Sequence, residues 1–305
     1  MSGFIHFFNA ALLFAIVLQT TPILLAALGG AFTQQANILN IALEGMMLTG
    51  AFASIAVGAA TQSAAAAVAA AVGAGLAMAL LFAWASLHLR ADFIVAGIGI
   101  NLLADGVTVF LLERLYHNEG SYSPFEFPSL WTIGLGPLRN IPVLGPALSG
   151  QSVIVFAALA LVPLSSLILY RTKFGIHLRA VGENEEAAVA AGVNPVRMKF
   201  AAVLISGALS GLAGAQLAMG TLDIFVRGMS SGRGYIALAA LTFGAARPGG
   251  TFLACLLFGI ADAASDKLQF YDIPNQLVLM VPYAVTIAAL ALAALRRLPL
   301  RTSSP

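Results

Sequence analysis

Apolar runs of roughly 20 residues recur along this chain, each closed by a short polar interruption. At 1.5 Å per residue, such a run reaches across a hydrocarbon layer of about 30 Å. Within lipid, every backbone N–H and C=O must find its partner inside the protein, which leaves helices or closed barrels. The runs are continuously apolar rather than alternating, so they read as helices. Only 9% of the 305 residues are charged and 60% are hydrophobic, whereas a soluble domain carries about 25% charged residues. The expected fold is all-α, a polytopic membrane helical bundle of about 8–10 segments with broken or re-entrant helices. No polar stretch is long enough to enclose a core of its own, so residues 1–305 form one transmembrane domain.

The spans fall at about 7–32 (with Pro22 inside), 38–60, 63–87, 93–112, 152–169, 201–219 and 277–295. Two shorter apolar pieces, 236–243 and 251–261, are separated by Arg247-Pro248-Gly249-Gly250. Each is too short to cross alone unless flanking residues join in. Counting both gives nine segments. The stretch 113–150 is rich in proline, which opposes a continuous helix, and its Tyr116, Tyr122 and Trp131 suit a membrane interface. Gly207, Gly211 and Gly214, with Ser206 and Ser210 beside them, form a small-residue pattern that lets helix backbones approach closely.

The formal net charge of +2 matters less than where the charge sits. Arg171, Lys173, Arg179, Arg197 and Lys199 crowd the polar stretch 171–199, and Arg296, Arg297 and Arg301 cluster in the tail. Short Lys/Arg-rich loops stay in the cytoplasm. Residues 171–199, the C-terminus, and His88 with Arg90 are therefore expected inside, and 113–150 and the N-terminus outside. These basic residues report topology, not nucleic-acid binding. The first residues lack a basic region followed by a short apolar core and cleavage site, so no cleavable signal peptide is expected.

Catalytic signatures are missing. The sequence has no G-x-x-x-x-G-K-[ST] phosphate loop, no H-E-x-x-H and no G-x-S-x-G. The four histidines, His6, His88, His117 and His177, are scattered, so no metal site is expected. Cys255 lies in an apolar run as a small core residue. A membrane protein without a catalytic constellation is a transporter subunit, a channel or a scaffold rather than an enzyme.

The stretch 171–199 encodes a short helix outside the bilayer. Asn184 suits an N-cap, and Glu185 and Glu186 occupy a first turn where the helix dipole favours negative charge. Ala187, Ala188, Ala190 and Ala191 are strong helix formers. Gly192 fits the left-handed residue beyond the end. Asn194-Pro195 then starts the next helix. A helix over 185–191 is too short to stand alone in water. Its small alanine face suits a cleft on a soluble partner better than a bilayer, and a loop cap lying on the lipid surface is the competing reading.

Four polar residues interrupt the spans: Asn40, Glu44, Asn101 and Asp105. Intramembrane ionisable groups face a bundle interior or a wet cavity. Asn101 and Asp105 are spaced i, i+4 and share a helix face. These four are candidates for a substrate path, and a structural network around a broken helix is the competing reading. Asp223, Arg227 and Arg233, in a glycine-rich passage, are placed at the outer mouth as gate residues, partner contacts or an exposed ion pair.

The string GENEEAAVAAGVNPVRMKF at 182–200 resembles the coupling-loop motif of bacterial ABC importer permeases of the branched-chain amino acid, simple sugar and nucleoside group. ANILNIALEGMMLTGAF at 36–52, VAGIGINLLADGVTVFL at 95–111 and the string from Met229 to Ala263 resemble further signatures of that group, in family order. The match is nearest to nucleoside (guanosine-type) importer permeases. Asp105 departs from an apolar residue, and Ala245-Ala246 from a more basic, aromatic pair. The resemblance implies a permease subunit in the bacterial inner membrane, driven by a separate ATPase that binds the ATP and magnesium. No cofactor is expected in this chain. It further implies a second permease, identical or related, and an extracytoplasmic substrate-binding protein. Gly182, Glu183, Asn184, Glu186, Ala187, Ala188, Ala191 and Gly192 become the coupling residues toward the ATPase. The alternatives are an importer permease for a simple sugar, a proton-driven transporter carrying the proton on Glu44 or Asp105, and an ion channel, for which no filter string appears.

Overall fold

The computed structural model describes residues 10–118, 120–134, 147–220, 223–269 and 284. In chain order the helices are α1 (Ala10–Gln35), α2 (Leu43–Thr61), α3 (Ala64–Ala83), α4 (Phe93–Tyr116), α5 (Val153–Arg171), α6 (Lys173–Glu183), α7 (Glu185–Ala190), α8 (Pro195–Met219), α9 (Arg233–Phe243) and α10 (Pro248–Leu268). A π-helical turn, Trp84–His88, extends α3. Among the described residues, seven helices are long and apolar enough to cross a membrane: α1 to α5, α8 and α10. The segment expected at 277–295 lies outside the described residues.

Two sequence boundaries shift for a physical reason. The piece expected at 251–261 is part of a 21-residue helix. Pro248 starts it, and Asp262, Ser265 and Asp266 extend it past the apolar core of the run. By contrast α9 has 11 residues, about 16 Å at 1.5 Å per residue, half a membrane's depth. Similarly, α2 does not begin at Ile38. Residues 36–42 are non-helical, with Asn37 in the left-handed region, and the helix starts only at Leu43. The stretch 113–150 is not helical past Tyr116 until Ala147 among its described residues. It supplies strands β1 (Ser121–Tyr122) and β2 (Thr132–Ile133). Strand β2 pairs antiparallel with β3 (Gln151–Ser152), and β1 pairs antiparallel with β4 (Phe225–Val226).

Three helices form the centre. Within their apolar windows, 61–67% of the residues of α1, α2 and α8 are buried, against 22–28% for α3 with its π-turn, α4 and α5. The outer three turn most of their surface outward, as Leu102, Phe110, Trp84 and Leu167 illustrate. Helix α8 meets α2 and α3 backbone to backbone. A side chain at Gly50 would strike the carbonyl of Gly211, one at Gly75 the carbonyl of Gly207, and one at Gly214 the carbonyl of Met47. Small residues drive association in lipid by allowing this approach, so the Gly207/Gly211/Gly214 pattern is a structural seam.

The bundle has two distinct ends. At one, Gly182 of α6 presses on the carbonyl of Gln35 at the end of α1, and the Gln35 amide donates to the carbonyl of Ala246 at 3.1 Å. At the other, the Gln62 amide donates to the carbonyl of Glu126, Ser152 Oγ donates to Gln216 Oε1 at 2.6 Å, and β1 pairs with β4. Residues 171–199 and the described part of 113–150 therefore sit at opposite ends.

The seam makes a sharp prediction. Gly211→Leu should abolish recovery of monodisperse permease on size exclusion, because overpacking costs about 1–3 kcal/mol where neighbours can shift and here they are backbone. Gly99→Leu and Gly106→Leu, whose new side chains meet open space, should behave as wild type.

Candidate functional site

A cavity of about 280 Å³ lies where α2 and α9 begin beside the middle of α4. Its existence follows from how two helix starts are satisfied. The first N–H groups of any helix lack intrahelical acceptors, and both starts are short of local caps. Ala42 precedes α2 with no side-chain acceptor, and Gly232 precedes α9, at φ +80°, also with none. The acceptors come from elsewhere in the fold. Glu44, in the first turn of α2, reaches across to α9: Oε1 accepts from the Gly232 N–H at 2.8 Å and Oε2 from the Gly234 N–H at 2.7 Å. One carboxylate thus lies at the positive ends of two helix dipoles. Hydrogen bonds to a charged acceptor contribute about 1.5–3 kcal/mol each.

Asn101, on α4, does the same for α2. Its Oδ1 accepts from the Gly45 N–H at 2.8 Å, and its Nδ2 donates to the Ile41 carbonyl and to Tyr235 Oη, both at 3.0 Å. Glu44, Asn101, Asp105, Ser230, Ser231 and Tyr235 line the cavity, with Leu48, Ile98 and Leu102 as its apolar wall. Asp105 lies one turn beyond Asn101, and its carboxylate has no ion-pair partner among the described residues. The cavity therefore offers carboxylates, hydroxyls and an amide to a ligand rich in hydroxyl and N–H groups, and an apolar wall to its flat or aliphatic parts.

Three of the four expected path residues, Glu44, Asn101 and Asp105, meet here. Asn40 does not. It is 1% exposed, its Nδ2 donates to Ser206 Oγ at 2.9 Å and its Oδ1 accepts from the Ala42 N–H at 3.0 Å. In the non-helical stretch before α2, an asparagine side chain substitutes for missing backbone partners, so Asn40 fastens the break to α8. Asn101 combines both readings, since it lines the cavity and caps α2.

The three residues expected at the outer mouth separate. Arg233 is corrected: it opens α9 inside the bundle, its Nε 3.9 Å from Asp262 Oδ2 on α10, with side chains only 20% and 10% exposed. Removing one member of such a sheltered pair strands the other charge. Arg227 is exposed, and its backbone N–H donates to the Gly120 carbonyl at 2.8 Å. Asp223 adopts a left-handed φ of 49°, and burial pushes its carboxyl above the usual carboxylate range. Tyr235, Ser230, Ser231 and Asp262 were missed from the sequence. The alternation S-S-G-R-G-Y was the available signal, because glycines there leave backbone N–H groups open to approach.

At the other end of the bundle, α7 is capped as its sequence dictates. Asn184 Oδ1 accepts from the Ala187 N–H at 2.9 Å, Gly192 takes φ +81°, and Asn194 Oδ1 accepts from the Arg197 N–H at 3.1 Å. An ion pair joins Glu185 to Lys199 of α8. Glu183, Asn184, Glu186, Ala187, Ala191 and Gly192 are exposed. Ala188 is not: at 3% exposure it is the residue by which α7 packs on its own chain, and Val189, 56% exposed, points outward instead. Gly182 belongs to α6, wedged against Gln35. Helix α6 itself was not expected from the sequence. Thr172, whose Oγ1 accepts from the Gly175 N–H at 3.3 Å, was its start signal, and Gly175, Leu178 and Val181 are the residues it buries.

Comparison with known proteins places this architecture. The family model described as branched-chain amino acid transport system / permease component matches residues 12–290. The nucleoside ABC transporter permease protein NupC of Lactococcus lactis is 35% identical over 288 residues, covering 91% of this chain and 90% of its own. The guanosine ABC transporter permease protein NupQ of Bacillus subtilis is 38% identical over 288 residues, covering 90% and 89%. The glucose ABC transporter permease protein TsgB13 of Haloferax volcanii is 25% identical over 284 residues, covering 89% and 74%. No solved structure matches this chain. Across nearly its whole length, the chain belongs to the permease-component family of the branched-chain amino acid transport systems.

Proposed function

We propose that this chain is the membrane-spanning permease subunit of an ATP-driven importer for nucleosides in a bacterial inner membrane, with the Glu44–Asn101–Asp105 cavity on its substrate path. The observation that carries the reading is the convergence of two helix starts on one cavity whose lining combines carboxylates, hydroxyls and an aromatic hydroxyl. Interrupted helices that meet inside a bundle are the structural mark of a transport site. A nucleoside matches this lining: ribose hydroxyls donate to Glu44 and Asp105, and the base lies against Leu48, Ile98 and Leu102. The relatives named for nucleosides and guanosine support the substrate class. A simple sugar is the second reading, favoured by the same hydroxyl chemistry and by the glucose-named relative. The proton-driven alternative is set aside, because the family and these relatives are permeases of ATP-dependent systems.

The partners in this reading are an ATPase at the α6–α7 end, a second permease that is the same chain or a related one, and a substrate-binding protein at the opposite end. ATP and magnesium belong to the ATPase. Exposed α7 residues form the grip, with Val189 at its centre. A push on α7 passes to α6, and through Gly182 to Gln35. Residues 36–42, which lack helical structure, connect Gln35 to the start of α2. Closure of the ATPase thereby reaches Glu44 and the cavity and switches access from one side to the other. The C-terminus and residues 171–199 lie in the cytoplasm, and residues 113–150 outside.

Uptake of a panel of labelled nucleosides and pentoses in a deletion strain tests the substrate class. Asp105→Leu should lower nucleoside uptake at least tenfold while the complex still assembles, since that side chain holds no other part of the fold. Normal uptake by this variant would move the path elsewhere.

Asn101→Leu should instead lower the yield of folded permease. It leaves the Gly45 N–H without an acceptor, at a cost of about 1–3 kcal/mol.

Val189→Asp should prevent co-purification of the ATPase from detergent while the permease elutes normally. Ala188→Asp should fail earlier, at folding, because it buries an unpaired charge. Retention of the ATPase and of transport by Val189→Asp would contradict the assignment of α7 as the grip.

A further inference from the structure

A second cavity, about 660 Å³, opens at the α6–α7 end of the bundle between the ends of α1, α5 and α6 and the start of α10. Two guanidiniums line it, from Arg179 on α6 and Arg247 just before α10, together with one carboxylate, Glu183. Neither arginine has an ion-pair partner among the described residues. Arg179 is fixed in place: its Nε donates to the Leu169 carbonyl at 3.1 Å and its guanidinium lies 4.9 Å over the Tyr170 ring. Arg247 is exposed. Gly249 and Gly250, in the first turn of α10, also line the cavity, and α10 has no side-chain cap.

The lining does not stop at the polar mouth. From Gly249, the positions i+4, i+8 and i+11 along α10 are Leu253, Leu257 and Ile260, 65%, 42% and 42% exposed. They share the helix face of Gly249. A basic cavity at a bundle end thus continues as apolar surface running along the membrane-spanning α10. This pairing of charge and grease fits one chemistry, a phosphodiester headgroup with acyl chains. Basic pockets between transmembrane helices bind such headgroups.

We propose that this cavity is a binding site for an anionic phospholipid, its phosphate held by Arg179 and Arg247 and its chains lying along Leu253, Leu257 and Ile260. Because α6 carries both Arg179 and the contact to Gln35, a bound headgroup would brace α6 against α10. The site is separate from the Glu44 cavity and does not depend on the substrate assigned to it.

The test uses the full permease complex, purified in detergent, and native mass spectrometry after mixing with equal amounts of phosphatidylglycerol and phosphatidylcholine. Wild type should retain phosphatidylglycerol preferentially. Arg247→Gln should weaken that retention about fivefold, from about 1 kcal/mol per basic residue near a lipid surface. The Arg179→Lys/Arg247→Gln double variant, which keeps one cation, should weaken it further. Phosphatidylglycerol should also raise the melting temperature of wild type more than that of the variants, and inorganic phosphate at equal concentration should not. Equal lipid retention by wild type and both variants would overturn the proposal. So would an equal melting shift from inorganic phosphate, which would make this a free-anion site. Loss of the ATPase from Arg247→Gln with lipid retention unchanged would assign the arginines to that partner instead.

Discussion

The Glu44 carboxylate is the interaction on which the rest of this architecture turns. Two helices begin inside the bundle, and neither carries its own cap. In hydrocarbon an unsatisfied N–H costs several kcal/mol, so such a break survives only where the fold supplies acceptors. Glu44 supplies two of them to α9, and Asn101 and Asn40 supply one each around the start of α2. The same need explains the cavity. Backbone that is not helical cannot close-pack like helical backbone, and the polar side chains that satisfy it line the cavity left beside it. The half-buried carboxylate of Glu44 is tolerated because it lies against two helix N-termini, and its removal would unfasten α2 from α9.

Around this centre the packing is economical in a different way. The backbones of α2, α3 and α8 touch through glycine, which gives a rigid frame, while α3, α4 and α5 leave apolar surface outward. Rigidity in the seam and interruption at the cavity divide the labour. In the proposed coupling route, a movement delivered at α7 would pass through α6 and the end of α1 to the non-helical residues 36–42. The second cavity lies at that same input end, so occupancy by a charged lipid would act on α6, upstream of the substrate path.

Much of this was legible in the residues. Apolar run length placed six of the seven long helices, with ends displaced by up to six residues, whereas the 251–261 piece read as too short to cross and is part of the 21-residue α10. Asn184, Gly192 and Asn194-Pro195 marked the caps of α7 and α8, because capping depends on local chemistry alone. Glu44, Asn101 and Asp105 declared themselves as polar groups in apolar runs. What was not legible required three dimensions. Asn40 and Glu44 looked alike in sequence, yet one fastens a break to Ser206 and the other faces a cavity. Arg233 read as a mouth residue because its partner, Asp262, is 29 positions away on another helix. Ala188 read as part of a docking face because all the alanines of α7 are equivalent until the helix is placed against its neighbours. Helix α6 was hidden by glycine at 175 and 182, weak helix formers that close packing requires there.

The most direct measurement is thiol protection at the cavity. The native Cys255 is buried, so it provides a silent background for Ser231→Cys, a near-isosteric change in the cavity wall that keeps both carboxylates, assembled in the complete importer in membrane vesicles. If the cavity lies on the path of a nucleoside, excess guanosine or another transported nucleoside should slow labelling of that cysteine by a small polar thiol reagent several-fold. A nucleoside that is not transported should have no effect. An unchanged labelling rate in a complex that still binds and transports nucleoside would contradict the central claim and place the path elsewhere in the bundle.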